Sequence, residues 1–335
     1  MIKIKNLLVS ILCFLPLYNN LKVVEATDFE LPNTTVYLTG AGIATRLHEP
    51  VLEEFSGVDI EFTRIPEKPS KADDSVIPYD GWLFLGTPVY KQEQHILICT
   101  KMFKKILCEK PVGLSTKEIK HIKSIINQNH VLFRVNYALR FLPCVEEIKE
   151  FIKNNDVKSV TITCNADFNK NPPNRAWKSD CKLGGGIVYS ILPHMVDLLN
   201  YLNLSEDLDS IEFKSTTQIP MSDIELHSKT LNQVNTLINI NLCENFDELT
   251  LKIETSNESK TFDLINSSKN KIFGTRYSNG TLSATSEISP WRISFKHLLE
   301  NLFTNPNDCR FAKIEDAESV HKVLDVILSQ QKHSN

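Results

Sequence analysis

The chain lacks any stripe or run of basic residues. Its 37 Lys and Arg are nearly matched by 41 Asp and Glu, and the net charge of −4 comes from signs that are interspersed. That excludes the electrostatic footprint of a nucleic-acid binder. No C-x-x-C pair and no H-E-x-x-H occurs, so no metal site is expected. Internal repeats and low-complexity tracts are also absent. What is present is ordinary globular composition, 335 residues with 41% hydrophobic and 23% charged, long enough for two domains.

The first 33 residues stand apart. Lys3 and Lys5 precede an apolar run from Leu7 to Tyr18, and Val24-Glu25-Ala26 offers small residues where a signal peptidase reads. This is the tripartite pattern of a secretory leader. The run is too short to span a bilayer comfortably, and no twin-arginine pair is present. A cleaved leader means export. A retained apolar extension means a cytoplasmic protein. Cysteine usage leans to the second: beyond Cys13, seven cysteines remain, an odd number without compact spacing. They read as small core residues, not a disulfide framework.

From Thr34 onward, strand and helix patterns alternate. Short apolar runs at 35–38, 58–63, 82–85, 105–108 and 131–135 read as strands, with helix-period segments around Leu47, Val51, Leu52 and Phe55 and around Ile119, Ile122, Ile125 and Ile126. Such alternation implies a parallel sheet with helices on both faces. After Pro143 a bridging helix, with Val145, Ile148, Phe151 and Ile152, leads into strands at 159–164, 210–215, 237–242 and 248–254. These alternate as an antiparallel sheet with one covered face would. The expected organisation is an α/β domain over 34–143, doubly wound on a parallel sheet, and an α+β domain over 144–335. A helix at Ala317, Val320, Val323, Leu324 and Ile327 closes the chain.

Chemistry concentrates at a few positions. Gly40-x-Gly42-x-x-Thr45 follows a strand and opens a helix, as a pyrophosphate-binding turn does, although Thr45 stands where a third glycine is usual. The second strand ends at Thr63-Arg64, with no carboxylate for the ribose hydroxyls. Arg64 suits a 2′-phosphate, so NADP is expected over NAD. Lys110 follows an apolar strand and precedes Pro111, which puts it at the carboxyl end of the sheet, where ligands bind. Alcohol oxidation removes a hydride from carbon and a proton from oxygen. His194 fits the general acid/base and Lys110 the electrostatic stabiliser of alkoxide character.

Gly40-Ala41-Gly42, Gly86-Thr87-Pro88, Cys108-Glu109-Lys110-Pro111, Arg140-Phe141-x-Pro143, Trp177, and Gly184-Gly185-Gly186 through His194 and Asp197 together resemble the glucose–fructose oxidoreductase / inositol dehydrogenase (Gfo/Idh/MocA) family over roughly 34–330. The resemblance implies a Rossmann domain joined to a mostly antiparallel α+β domain. It also implies hydride transfer to or from a sugar, sugar derivative or polyol, and self-association through the second sheet. It puts Gly40, Gly42, Ile43, Ala44, Thr63, Arg64, Thr87, Pro88, Glu109, Lys110 and Trp177 beside the cofactor, with Lys110 next to the nicotinamide. Ser190, four residues before His194, occupies the position where the family usually has Asp, and is expected to face the site as a third catalytic-site residue. Pro193 should kink this helix. Asp197 reads either as a partner orienting His194 or as a packing contact. Between Arg64 and Asp80 there is no room for the usual helix and strand, so 68–74 reads as a loop and the adenine side as open. The alternatives to a dehydrogenase are a catalytically silent or regulatory nucleotide binder of the same fold, and a C=C or C=N reductase.

Overall fold

The computed structural model describes residues 34–40, 42–55, 60–65, 79–167, 177–178, 180–215, 223–243, 248–266, 274–276 and 290–333. The proposed leader, Ala41 and the 68–74 loop lie outside them. Five strands, β1 (Thr34–Thr39), β2 (Ile60–Arg64), β3 (Tyr79–Leu85), β4 (Phe103–Glu109) and β5 (Leu132–Asn136), form an all-parallel sheet in the order β2-β1-β3-β4-β5. Their interiors are continuous apolar runs; Leu83, Phe84 and Leu85 are fully buried, as in strands covered on both faces. Strand order reverses at β1, so the carboxyl ends of β1 and β3 part and leave a crevice.

A short helix follows β1, with a π turn (Ala44–His48) running into α1 (Glu49–Leu52). Val51, Leu52 and Phe55 are buried on the expected stripe, and Leu47 is half-buried beside them. α2 (Val89–Met102) links β3 to β4, and α3 (Thr116–Gln128) links β4 to β5. Ser115 caps α3, its hydroxyl accepting from the Glu118 backbone N–H.

Beyond Pro143, α4 (Cys144–Asn154) leads into the second sheet. Its strands are β6 (Val157–Asp167), β7 (Glu212–Lys214), β8 (Asp223–Lys229), β9 (Asn235–Cys243), β10 (Glu248–Thr255), β11 (Ser259–Asn266) and β12 (Gly274–Arg276). The order is β12-β11-β10-β6-β9-β8-β7, antiparallel throughout except for the β6–β9 pair. Thr236, Ile238 and Ile240 of β9 and Leu249, Leu251 and Ile253 of β10 point to the buried face, in the period of two expected from sequence. Strands β8, β11 and β12 add to the four expected ones.

Between β6 and β7 the chain forms α5 (Gly186–Ser190) and α6 (Leu192–Tyr201); it ends with α7 (Pro290–Thr304) and α8 (Ile314–His333). A boundary at 143 separates the two sheets, but α7 returns to the first. Phe295, Leu298, Leu299 and Leu302 share one core cluster with Val36, Leu38, Trp82 and Phe84 of β1 and β3. Cys99, Cys108, Cys144 and Cys164 are buried as small apolar residues, whereas Cys309 is exposed.

Candidate active site

A cleft of about 420 Å³ opens where β1 and β3 diverge. Gly40, at φ 94°, closes the turn after β1; a Cβ there would sit 2.2 Å from the Gly86 carbonyl oxygen at the end of β3. Any side chain would push the two strand ends apart. Of the residues singled out in the sequence, Gly42, Ile43, Thr87, Pro88, Glu109, Lys110, Trp177 and Ser190 line the cleft. Gly40 and Ala44 shape the turn without lining it. Arg46, Lys91 and Lys178 also line it. Together with Lys110 they make a cationic wall, suited to a pyrophosphate. Arg46 follows the glycine turn directly, and its position there is the sequence signal that could have marked it. The buried Thr87 hydroxyl has no hydrogen-bond partner among the described residues. The glycine cradle, the cations and this unpartnered hydroxyl all fit a dinucleotide.

Thr63 and Arg64 stand at the exposed end of β2, off the cleft wall. Arg64 is already engaged. Its Nε donates to Glu49 Oε1, its Nη2 to Thr45 Oγ1 at 2.6 Å, and its Nη1 reaches the Gly40 carbonyl at 3.5 Å. The ion pair holds the Glu49 carboxyl below, and the guanidinium above, their ordinary ranges. The arginine expected to wait for a 2′-phosphate thus carries a carboxylate, and Thr45, in the third-glycine position, is its hydroxyl support.

Lys110 stands at the floor of the cleft, half-buried. Its Nζ donates to the backbone carbonyl of Ser190. That carbonyl is available because α5 ends at Ser190. In an uninterrupted helix the His194 N–H would bond to Ser190 O; here it bonds to Ile191 O at 3.0 Å, and α6 restarts with Pro193 in its first turn. The expected kink is present, and its product is a free acceptor aimed at the lysine. Burial pulls the Lys110 ammonium down to about 8, with Glu109 opposing and Lys178 assisting.

His194 lies on the far side of Ser190, in a second cavity of about 110 Å³ that shares Ser190 with the cleft. Its ring lies edge-on to Tyr137, with centroids 6.3 Å apart, and tilted against Trp291 at 5.0 Å. Its Nδ1 is buried without a hydrogen-bond partner among the described residues. Burial, reinforced by the Lys110 charge, holds this imidazole well below its ordinary value, so it is neutral at pH 7. Asp197 does not reach it. It is buried and bonded to Arg140 in a bidentate pair, Nε to Oδ2 at 2.9 Å and Nη2 to Oδ1 at 2.6 Å, with Asp316 as the arginine's second anion. The packing reading of Asp197 holds.

Glu109 is fixed by residues far away in sequence. Its Oε1 accepts from Asn136 Nδ2 at 2.6 Å and pairs with His48 Nε2 at 2.7 Å. His48 is stacked on Phe295 at 4.8 Å. Gln92 donates to the Glu109 carbonyl at 3.0 Å and accepts from the Gly113 N–H at 2.9 Å, clamping the turn that carries Lys110. No spacing links 48, 92, 109 and 136, so only the fold brings them together. Trp177 is held by Gly185, where a Cβ would meet the Trp177 carbonyl at 2.4 Å, and its ring meets Tyr90 edge-on at 6.3 Å.

Solved structures share this fold. Myo-inositol dehydrogenase from Corynebacterium glutamicum superposes with a TM-score of 0.65 at 14% identity, over 90% of this chain and 98% of that one. Levoglucosan dehydrogenase, in complex with NADH and levoglucosan, gives 0.64 at 15% identity over 91% and 98%. The fold is that of the Gfo/Idh/MocA family. A super-repressor mutant of Gal80p from Saccharomyces cerevisiae has it too, with a TM-score of 0.75 at 12% identity over 91% and 97%. In sequence the chain is 23% identical over 205 residues to glucose-6-phosphate 3-dehydrogenase of Bacillus subtilis. It is 24% identical over 106 residues to trans-1,2-dihydrobenzene-1,2-diol dehydrogenase of Bos taurus. The first match covers 56% of this chain and 58% of that relative, the second 31% of each. No protein-family model matches the chain. These Gfo/Idh/MocA-type relatives are named as dehydrogenases of sugars and polyols.

Proposed function

We propose that this chain is a nicotinamide-dinucleotide-dependent dehydrogenase acting on a CH–OH group of a sugar, sugar derivative or polyol. The observation that carries it is the position of Lys110, which lines the dinucleotide cleft and is bonded to the carbonyl of Ser190, the residue that the cleft shares with the second cavity; burial there draws its ammonium down to about 8. Perturbed groups of this kind at a cleft are what proton transfer requires. The bound nicotinamide would take the hydride from the carbinol carbon. The proton of the same hydroxyl passes to the neutral Lys110 amine as the C=O bond forms, and in the reverse direction the ammonium returns it. His194, neutral and held by Tyr137 and Trp291, donates or accepts a hydrogen bond at the reacting oxygen and orients it. This exchanges the two roles expected from sequence. An imidazole whose conjugate acid is so disfavoured is a poor proton acceptor, whereas an amine near pH 8 is a good one.

A preference for NADP rests on Arg64 and is opposed by Glu49, which already occupies the guanidinium. The second sheet is proposed as a self-association surface, and light scattering at micromolar concentration tests that. A regulatory nucleotide binder is the second reading, favoured by the Gal80p fold match and by Ser190 in the Asp position. Single-turnover reduction of NAD and NADP against a panel of sugars and cyclic polyols decides. Reduction that disappears in Lys110→Met supports the dehydrogenase. Nucleotide binding without reduction on any substrate supports the regulatory reading.

A further inference from the structure

Two buried donors meet at one oxygen in the wall of the cleft. His48 Nε2 and Asn136 Nδ2 both bond to Glu109 Oε1, at 2.7 and 2.6 Å. A carboxylate accepts and does not donate, so the His48 proton in this bond sits on Nε2. Both side chains are almost fully buried, and His48 Nδ1 and Asn136 Oδ1 have no hydrogen-bond partner among the described residues. A half-satisfied buried polar group is less favourable than an apolar group of the same shape. The packing of His48 on Phe295 and Phe84 therefore does not account for an imidazole there; the bond to Glu109 does. Glu109 and Lys110 are consecutive and both line the cleft, yet no ion pair joins them among the described residues. The Lys110 ammonium goes to the Ser190 carbonyl instead.

Resting on the dehydrogenase reading, we infer that His48 and Asn136 are positioning residues that hold the Glu109 carboxylate off Lys110, so that the lysine is not locked in an ion pair and can exchange its proton with the reacting oxygen. Asn136 ends β5 directly opposite Glu109 in the β4–β5 register, and His48 is wedged between Phe84 and Phe295, so both donors are fixed by the core. With Glu109 held, its charge reaches Lys110 only through space, where it opposes burial while Lys178 assists it. Attraction rises as opposite charges approach, so direct contact would favour the ammonium far more. Among the described residues lining the cleft, Glu109 is the only anion. Arg46, Lys91 and Lys178 are cations, Tyr90 and Tyr189 are phenols, and the Tyr189 hydroxyl donates to Leu114 O. Behind Glu109, burial keeps the Cys108 thiol protonated, and His194 on the far side of Ser190 is neutral. The place of this one carboxylate therefore decides how firmly Lys110 keeps its proton.

The test titrates Lys110 itself. Trace acetylation with acetic anhydride over about pH 6 to about 10, read by mass spectrometry on the peptide that carries Lys110, follows the fraction of free amine without substrate or nucleotide. The wild type should show a midpoint near 8. His48→Leu keeps the apolar packing and removes one donor, and Asn136→Leu removes the other; each should raise the midpoint by about half a unit or more. His48→Gln, whose amide nitrogen takes the place of Nε2, should restore the wild-type midpoint. Glu109→Gln removes the anion and should lower the midpoint by about half a unit or more. A midpoint unmoved or lowered in the two leucine variants overturns the inference, as does one unmoved in Glu109→Gln. An equal rise in His48→Gln assigns the effect to packing and overturns it too. Should His48→Leu fail to fold, Asn136→Leu decides by the same outcomes. All of these leave the dehydrogenase reading standing, because that reading falls only if the single-turnover panel shows no reduction.

Discussion

The Lys110 ammonium is bonded to the main-chain carbonyl of Ser190, and that carbonyl is open to it because α5 ends at Ser190 and the His194 N–H bonds to Ile191 O instead. A residue that lacks the expected carboxylate thus still supplies an anchor for the lysine. The acceptor is neutral, which leaves burial as the dominant influence on Lys110 and draws it toward neutrality.

If Lys110 is the proton carrier, the pH dependence has a fixed sign. Alcohol oxidation needs the free amine, so kcat/KM should rise with pH and level off above a midpoint near 8. Carbonyl reduction needs the ammonium and should fall over the same range. Lys110→Met should lower both by roughly 10³-fold or more, while fluorescence titration still detects nucleotide binding. Retention of most of the turnover would make Lys110 a structural residue.

Pro193→Ala restores a backbone donor and lets the helix continue, so the His194 N–H can compete for Ser190 O. Lys110 then loses a bond that favours its charged form. Its pKa should drop, and the midpoint of the oxidation profile should move to lower pH by about half a unit to one unit. A profile that stays in place while the rate changes would show that the carbonyl does not tune the lysine.

Glu49 is the competitor for Arg64. Glu49→Gln removes the anion and keeps the shape, so NADPH should gain about tenfold in affinity over NADH, about 1.4 kcal/mol. Arg64→Ala should erase any NADPH preference. Equal ratios in wild type and both variants would take Arg64 out of the cofactor site.

His321 of α8 is fully buried, and neither ring nitrogen has a hydrogen-bond partner among the described residues. Burial pushes it down to about 4, with Asp325 opposing. Because the folded value lies below the unfolded one near 6.5, the unfolded chain binds the proton first. Stability should therefore hold above pH 6.5 and decline as pH falls toward 4, by roughly 3 kcal/mol in total. Denaturant titrations of wild type and His321→Leu should show this limb flattened in the variant. Parallel curves would assign the acid loss to other groups.

The parallel sheet, the glycine turn, the Glu-Lys-Pro lysine and the one-sided second sheet were legible in sequence because each rests on local periodicity or on a backbone requirement. A buried parallel strand is a continuous apolar run, and a turn that touches a neighbouring strand end must be glycine. Helix α7 was not among the expected elements, although Phe295, Leu298, Leu299 and Leu302 carry an apolar helical period. Period alone, however, does not say that α7 returns to β1 and β3, because that depends on which apolar face is left uncovered. His48, Gln92 and Asn136 converge on Glu109 and the turn after it through distances in sequence that carry no pattern. The tertiary structure also redistributed charge. Arg64 went to Glu49, Asp197 went to Arg140, and Lys110 and His194 took their proton affinities from burial. A side chain's identity sets its ordinary pKa, but desolvation and the nearest opposite charge set the actual one, and both exist only once the chain has folded.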